Sequence, residues 1–210
     1  MSGTSMASQT SPGQLFVVSA PSGVGKTTII RSAFTRSPNL RYSISCTTRQ
    51  ARTGEIDGQD YHFITRKRFQ QGIAAGRFLE WAEVHGNLYG TDGEPIRQWL
   101  SQGEDVILDI DVQGARQVRC TYPAARTVFI LPPSIEELLK RLKGRGTESE
   151  EQLARRMRAA HTELGESPWY EYIVVNDRLE DAVEDFLAIL RACRCERLQQ
   201  ATRIRPFLVS

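Results

Sequence analysis

One stretch constrains this chain more than any other: the apolar run Leu15 to Val18, then Ser19 and the loop Ala20-Pro21-Ser22-Gly23-Val24-Gly25-Lys26-Thr27-Thr28. It reads as a buried strand, a glycine-containing loop and a helix from about Thr27 to Thr35. A loop of this kind turns successive backbone N–H groups inward, and together with the helix N-terminus they cradle polyphosphate. Gly23 and Gly25 allow positive φ and close approach to the anion. Lys26 is placed to reach β and γ oxygens, and the Thr27 hydroxyl to ligate Mg²⁺. Ala20 stands where the generic pattern G-x-x-x-x-G-K-[ST] has glycine, but the strand–loop–helix context is kept. Ala20 to Thr28 are therefore candidate ATP-binding residues. Kinases, ATPases and GTPases all use such a loop, so the second substrate has to be read elsewhere.

Three further apolar runs follow, Val106 to Ile110, Thr127 to Leu131 and Ile173 to Val175. Each is short, unbroken and β-branched, the pattern of parallel strands covered on both faces. Helical stretches separate them. Ser134-Ile-Glu-Glu137 reads as a capping box opening a helix to about Leu142. Val183, Phe186, Leu187 and Leu190 share one face of another helix, with Arg191, Arg194 and Arg197 in its last turns. The alternation predicts an α/β fold with a parallel sheet core flanked by helices. Residues 43 to about 98 break the pattern. They are rich in Thr, Arg, Tyr and Gly, with turn signals at Thr53-Gly54 and Asp57-Gly58, and read as a small β-rich insert.

Composition excludes more than it selects. Twenty-seven basic against 25 acidic residues leave +2, which argues against a nucleic-acid or membrane-surface binder. Cys46, Cys120, Cys193 and Cys195 form no regular framework, so reduced thiols in the cytoplasm are expected. Cys193-x-Cys195 lacks metal-ligand spacing, and with three histidines a zinc site is not expected. The first thirteen residues are small and polar, unlike a signal peptide, and are expected to be a disordered tail. No apolar run approaches a membrane span.

Thr47-Thr48-Arg49-x-x-Arg52-x-x-Glu55-x-x-Gly58-x-x-Tyr61-x-Phe63 brings two guanidinium forks, a phenol and a carboxylate into one short section. Forks and phenol suit a phosphate monoester, and Glu55 is placed to orient the arginines. Two arginines alone would equally fit a basic surface hairpin. This segment resembles guanylate kinase, and the resemblance runs from about Gln14 to Arg194. It includes Phe78-Leu-Glu80-Trp81, Asn87-Leu-Tyr89-Gly-Thr91, Ile107-Leu-Asp109-Ile-Asp111-x-Gln113-Gly114, Arg141-Leu-x-Gly-Arg145-Gly-Thr and Val174-Val-Asn176-Asp177, in the family's order. The match is closest to the short bacterial enzymes.

The resemblance implies a P-loop nucleoside monophosphate kinase, an ATP:GMP phosphotransferase of purine nucleotide metabolism, with dGMP as a further candidate acceptor. Arg49, Arg52, Tyr61 and Tyr89 would hold the GMP phosphate. Ser45, Glu80, Thr91 and Asp111 would read the guanine, whose N1–H and N2–H₂ are donors. Arg141, Arg145 and Arg156 would form a catalytic lid, and Asn176 and Asp177 would border the adenine. Asp109 and Asp111 are expected to alternate on one strand and face the same side, with Asp109 holding Mg²⁺ through water; a helix cap after the strand is the other reading for either acid. The implied layout is a core of 14–42, 99–140 and 166–194, a GMP-binding insert of 43–98, a lid of 141–165 and a C-terminal extension of 195–210. Two departures stand beside Ala20: Asp92-Gly93 follows Thr91, putting an extra acid near the acceptor or shifting a helix start, and Arg178 follows Asp177. The competing readings are a catalytically inactive guanylate-kinase-like scaffold and a kinase for a sugar phosphate. Intact Lys26 and Thr27 argue against the first, and the guanine-reading set against the second. The oligomeric state is left open.

Overall fold

The computed structural model describes residues 11–84, 86–143 and 149–208. Strand β1 (Leu15–Ser19) is buried at every position, so both faces need cover. It pairs in parallel with β7 (Asp105–Asp109) on one side and β8 (Arg126–Leu131) on the other. β2 (Leu40–Tyr42) adds outside β7 and β9 (Tyr172–Val175) outside β8, again in parallel. The order is β2-β7-β1-β8-β9, and the loop after β1 lies at its centre, where open parallel sheets bind ligands.

Helices cover both faces. On one, α1 (Lys26–Arg36) and α7 (Leu179–Arg194) bury Ile29, Ile30, Ala33, Val183, Phe186, Leu187 and Leu190 against Phe16, Val18, Val128 and Ile130. On the other, α3 (Gly93–Ser101) and α4 (Val112–Thr121) bury Ile96, Leu100, Ala115 and Val118 against Leu15, Val17, Val106 and Leu108. The alternating β1 residues thus feed two separate cores. β9 departs from the expectation of cover on both faces: it is an edge strand, and Ile173 and Val175 are exposed. Helix α7 ends at Arg194, so Arg197 lies beyond its last turn.

A second sheet, of order β4-β3-β6-β5, comprises β3 (Cys46–Thr47), β4 (His62–Phe63), β5 (Phe78–Val84) and β6 (Asn87–Asp92). α2 (Arg66–Ala74) packs on it through Phe69, whose ring stacks on Phe78 at 4.2 Å between centroids. α5 (Ile135–Lys143) and α6 (Glu150–Leu164) lie beyond β8, and α8 (Ala201–Leu208) closes the described chain. The start of α5 forms half of its expected box: the Ser134 hydroxyl accepts from Glu137 N–H, while the Glu137 carboxylate accepts from Arg141. The complete capping box is at α6, where Ser149 and Gln152 cap each other. Residues 1–10 of the expected tail lie outside the described residues. Ser11 to Gly13 are not loose. Ser11 hydrogen-bonds Thr202, Gly13 N–H donates to Leu100, and a Cβ on Gly13 would fall 1.8 Å from the Glu104 carbonyl oxygen. No described helix is long and apolar enough to cross a membrane.

Phe186 is fully buried on α7, whereas Phe207 on α8 is 88% exposed. Phe186→Ala is expected to cost about 3–5 kcal/mol of stability, and Phe207→Ala less than about 0.5 kcal/mol. Urea unfolding of the two variants against the parent chain checks both.

Candidate active site

The phosphate loop takes its shape from what holds it behind. Gly25 caps α1 in the left-handed region at φ 98°, and Gly23 sits at φ 89°. A side chain at Gly25 would be strained and its Cβ would lie 2.6 Å from Asn176 Nδ2. That amide is buried and donates to the Val24 carbonyl at 2.6 Å. The side chain of Asn176, the residue expected beside adenine, props the loop from behind. Arg141 Nη1 donates to the Asn176 carbonyl at 3.0 Å and to the Val24 carbonyl at 3.4 Å, while its Nε is held by Glu137. Arg156 on α6 donates to the Ser22 hydroxyl at 3.1 Å. Two of the three expected lid arginines therefore meet the loop; Arg145 lies outside the described residues. Thr27 and Thr28 are exposed at the start of α1.

Register brings the next group in. Val18 pairs across from Asp109, so the end of β7 stands beside the start of the loop. Lys26 Nζ forms a 2.6 Å ion pair with Asp109 Oδ1 and donates to the Ile110 carbonyl at 3.2 Å. The buried Ser19 hydroxyl donates to that same carbonyl. Tyr42, at the end of β2, donates to Asp109 Oδ2, and burial pushes its phenol well above the usual range. β7 ends at Asp109, which corrects the expectation that Asp109 and Asp111 share a strand. Asp111 is the N-cap of α4, its carboxylate accepting from Gly114 N–H at 2.8 Å.

Both acids nonetheless border one cavity of about 340 Å³, with Ser45, Tyr61, Glu80 and Tyr89 also in its wall. It joins the second sheet to the C-terminal end of the first. Glu80 is 8% exposed on β5. Thr91, across the strand pair and fully buried, spends its hydroxyl on Glu80 Oε1 at 2.6 Å, so it acts on this cavity through Glu80. Burial pushes the Glu80 carboxyl up to about 7, and the Asp111 carboxylate adds to the shift. The Thr91 hydrogen bond pulls the other way.

Beside this cavity, Arg49 Nη2 pairs with Glu55 Oε1 at 2.8 Å and its guanidinium lies 5.5 Å from the Tyr61 ring centre. Glu55 also accepts from the Arg52 backbone N–H, so one carboxylate orients the Arg49 guanidinium and anchors the main chain at Arg52. The Arg49 hydrogen bond is the main reason the Glu55 carboxyl titrates below the usual carboxylate range. Tyr61 and Tyr89 meet edge-on at 6.0 Å. Arg52 itself is exposed.

The two departures have structural roles. Asp92 caps α3 by accepting from Glu94 N–H and pairs with Arg77 at 2.6 Å, so the helix starts at Gly93. Arg178 precedes α7 and pairs with Asp181. Four contributors escaped sequence reading. Tyr42 was hidden because its partner Asp109 is remote in sequence. Gly114 was read only as a motif residue, yet a Cβ there would lie 3.1 Å from Glu80 Oε2. Gln117 hydrogen-bonds both backbone groups of Trp81. Glu163, part-buried on α6, faces Lys26 and the Ser22 backbone; burial raises its carboxyl despite both.

With this geometry in place, similarity to known proteins is specific. The family model for Guanylate kinase matches residues 12–193. Guanylate kinase of Carboxydothermus hydrogenoformans is 54% identical over 180 residues, covering 86% of this chain and 88% of the relative. That of Chromobacterium violaceum is 50% identical over 192 residues, covering 91% of each. Among solved structures, guanylate kinase from Anaplasma phagocytophilum superposes with a TM-score of 0.74 at 30% identity, covering 95% of this chain and 98% of that one. A phosphate loop propped by Asn176, a lysine tied to Asp109 and an acid-lined cavity on the second sheet thus occur in a chain that belongs to the guanylate kinase family.

Proposed function

We propose that this chain is an ATP:GMP phosphotransferase, moving the γ-phosphoryl group of ATP onto GMP to give ADP and GDP. The observation that carries the reading is the cavity where Glu80, Asp111 and Ser45 converge a few residues from the Lys26–Asp109 pair. The second sheet with α2 serves as the GMP-binding insert, and residues 141–165, from the end of α5 through α6, as the lid. Glu80 as a carboxylate accepts from guanine N1–H and N2–H₂ together, with Asp111 and Ser45 alongside. Arg49, Arg52, Tyr61 and Tyr89 take the GMP phosphate, with the Arg49 guanidinium and the Arg52 backbone held by Glu55. Intact Lys26, Thr27, Arg141 and Arg156 favour catalysis over a scaffold role.

On the donor side, the loop backbone and Lys26 bind the ATP phosphates, which compete with Asp109 for the lysine. Thr27 and Asp109 offer only hard oxygen donors, a set that fits Mg²⁺. Among the described residues no group of three or more His, Cys, Asp or Glu is arranged to hold a metal, in keeping with an ion that arrives on the nucleotide. Mg²⁺, when bound, would neutralise charge on the phosphate oxygens. The GMP phosphate is already a nucleophile, so the residues need to align it and stabilise charge rather than supply a strong base. Arg141 and Arg156 are poised over the loop for that charge and for excluding water.

Lys26→Ala is expected to lower kcat on the order of 10²–10³-fold, with a much smaller change of GMP affinity in calorimetry, because Lys26 is not in the wall of the acceptor cavity and bears on it only through Asp109. Near-normal turnover in a coupled ADP assay would overturn the loop assignment.

Glu80 gives a pH signature. Its folded value of about 7 exceeds the ordinary 4.5, so its contribution to stability is full below 4.5 and lost as pH rises through about 7. Glu80→Gln should therefore make the free protein more stable than the parent at alkaline pH, with the gap closing on acidification. Guanine needs the carboxylate, so parent GMP affinity should fall about tenfold per unit below about pH 7. The GMP phosphate titrates near 6, and Glu80→Gln supplies that baseline. Calorimetric titrations across this range, parallel for parent and variant, would remove Glu80 as the base reader.

A further inference from the structure

β5 is an edge strand of the second sheet, with β6 on one side only. An edge leaves backbone N–H and C=O groups without strand partners. At Trp81 a side chain takes both. The Trp81 N–H donates to Gln117 Oε1 at 3.1 Å, and Gln117 Nε2 donates to the Trp81 carbonyl at 3.0 Å. The primary amide therefore stands in for the peptide group of a missing neighbour strand. Its orientation is set by the pair, because the reversed amide would oppose donor to donor and acceptor to acceptor. One turn further along α4, the Thr121 hydroxyl donates to the Leu79 carbonyl at 3.1 Å.

Leu79 and Trp81 flank Glu80. The same helix face presents Gly114 three residues before Gln117. The missing side chain there leaves room for the Glu80 carboxyl, which a Cβ would approach to 3.1 Å. The N-cap of this helix is Asp111, another acid bordering the acceptor cavity. The seam between α4 and β5 thus sets how far apart the two base-facing acids stand.

We propose that Gln117 is a positioning residue for base selection: its amide pins the edge strand to α4 and thereby fixes where Glu80 meets the guanine. This rests on the reading of Glu80 given above. Gln117 touches no substrate. Trp81 is 39% exposed, so water can replace the lost bonds and the stability cost is small, whereas the register of Glu80 against Asp111 loosens.

The test uses full-length Gln117→Met, which keeps length and volume but loses both bonds, Gln117→Glu, and Glu80→Gln as reference. kcat and KM are measured for GMP and for IMP, which lacks the N2 amine, and KM for ATP. In Gln117→Met the KM for GMP should rise about tenfold, the size of one lost net hydrogen bond. The preference for GMP over IMP should narrow, with KM for ATP and Tm close to the parent. Gln117→Glu adds a readout that general loosening would not give. As a carboxylate it sets an oxygen against the Trp81 carbonyl. Protonated, it offers one donor and one acceptor like the amide. Its KM for GMP, relative to the parent at each pH, should recover on acidification, while that of Gln117→Met should not. An unchanged GMP:IMP preference in Gln117→Met, with that of Glu80→Gln collapsed, overturns this inference alone. An unchanged preference in Glu80→Gln overturns the reading of Glu80 and this inference with it. Should Gln117→Met fail to fold, a Gln117→Glu ratio that stays flat with pH overturns the inference.

Discussion

The parallel pairing of β1 with β7 sets Val18 opposite Asp109, and the phosphate site hangs from that register. Because strand side chains alternate, a slip of one residue would turn Asp109 to the opposite face. As it stands, Asp109 meets Lys26 at the point where β1 gives way to the loop, and the Ile110 carbonyl receives both Lys26 and Ser19. The lysine is thereby held against the neighbouring strand before any phosphate arrives. The pair is only partly accessible, 18% and 13% for the two side chains, so it is less screened than a surface pair, but each charge has given up hydration to form it. On the function proposed above, a polyphosphate entering the loop would compete with Asp109 for the lysine and release that carboxylate.

The acceptor side depends on the opposite arrangement, an acid held without a cation. Glu80 is buried beside Gly114 and faced by Asp111, which together raise its carboxyl to about 7, while the Thr91 hydroxyl favours the carboxylate. Perturbed carboxyl groups of this sort concentrate where a site must answer a specific ligand. Next to it, Arg49 and Glu55 form an ordinary ion pair and depress the carboxyl instead. Two glutamates, one on β5 and one in the loop between β3 and β4, are driven in opposite directions by their surroundings. One is suited to accept from a heterocycle, the other to orient guanidinium groups.

Connections between remote elements give the site its coherence. Arg141 on α5, Arg156 on α6 and Asn176 after β9 all reach the loop that follows β1. Gln117 and Thr121 bind the second sheet to α4, a helix that covers the first. Helix α6 carries Glu163 toward Lys26 as well, so the segment beside the loop presents both signs of charge.

Much of this was legible in the chain itself, because local chemistry carries it. The strand–loop–helix around Lys26, the β-branched runs of the parallel sheet, the insert and the grouping of Arg49, Glu55 and Tyr61 all follow from short-range pattern, while Tyr89 joined them only through the family resemblance. One cavity wall contains Ser45, Glu80 and Asp111, three of the four residues that the family resemblance assigns to the base. What sequence alone could not decide was how polar groups are spent once elements pack. Asn176 supports the loop, Thr91 serves Glu80, Asp111 caps a helix, and Gln117 completes a strand edge 36 residues away. A hydrogen bond between distant segments leaves no periodicity to read; it exists only after the backbone has brought donor to acceptor, and burial then decides the charge each carboxyl carries.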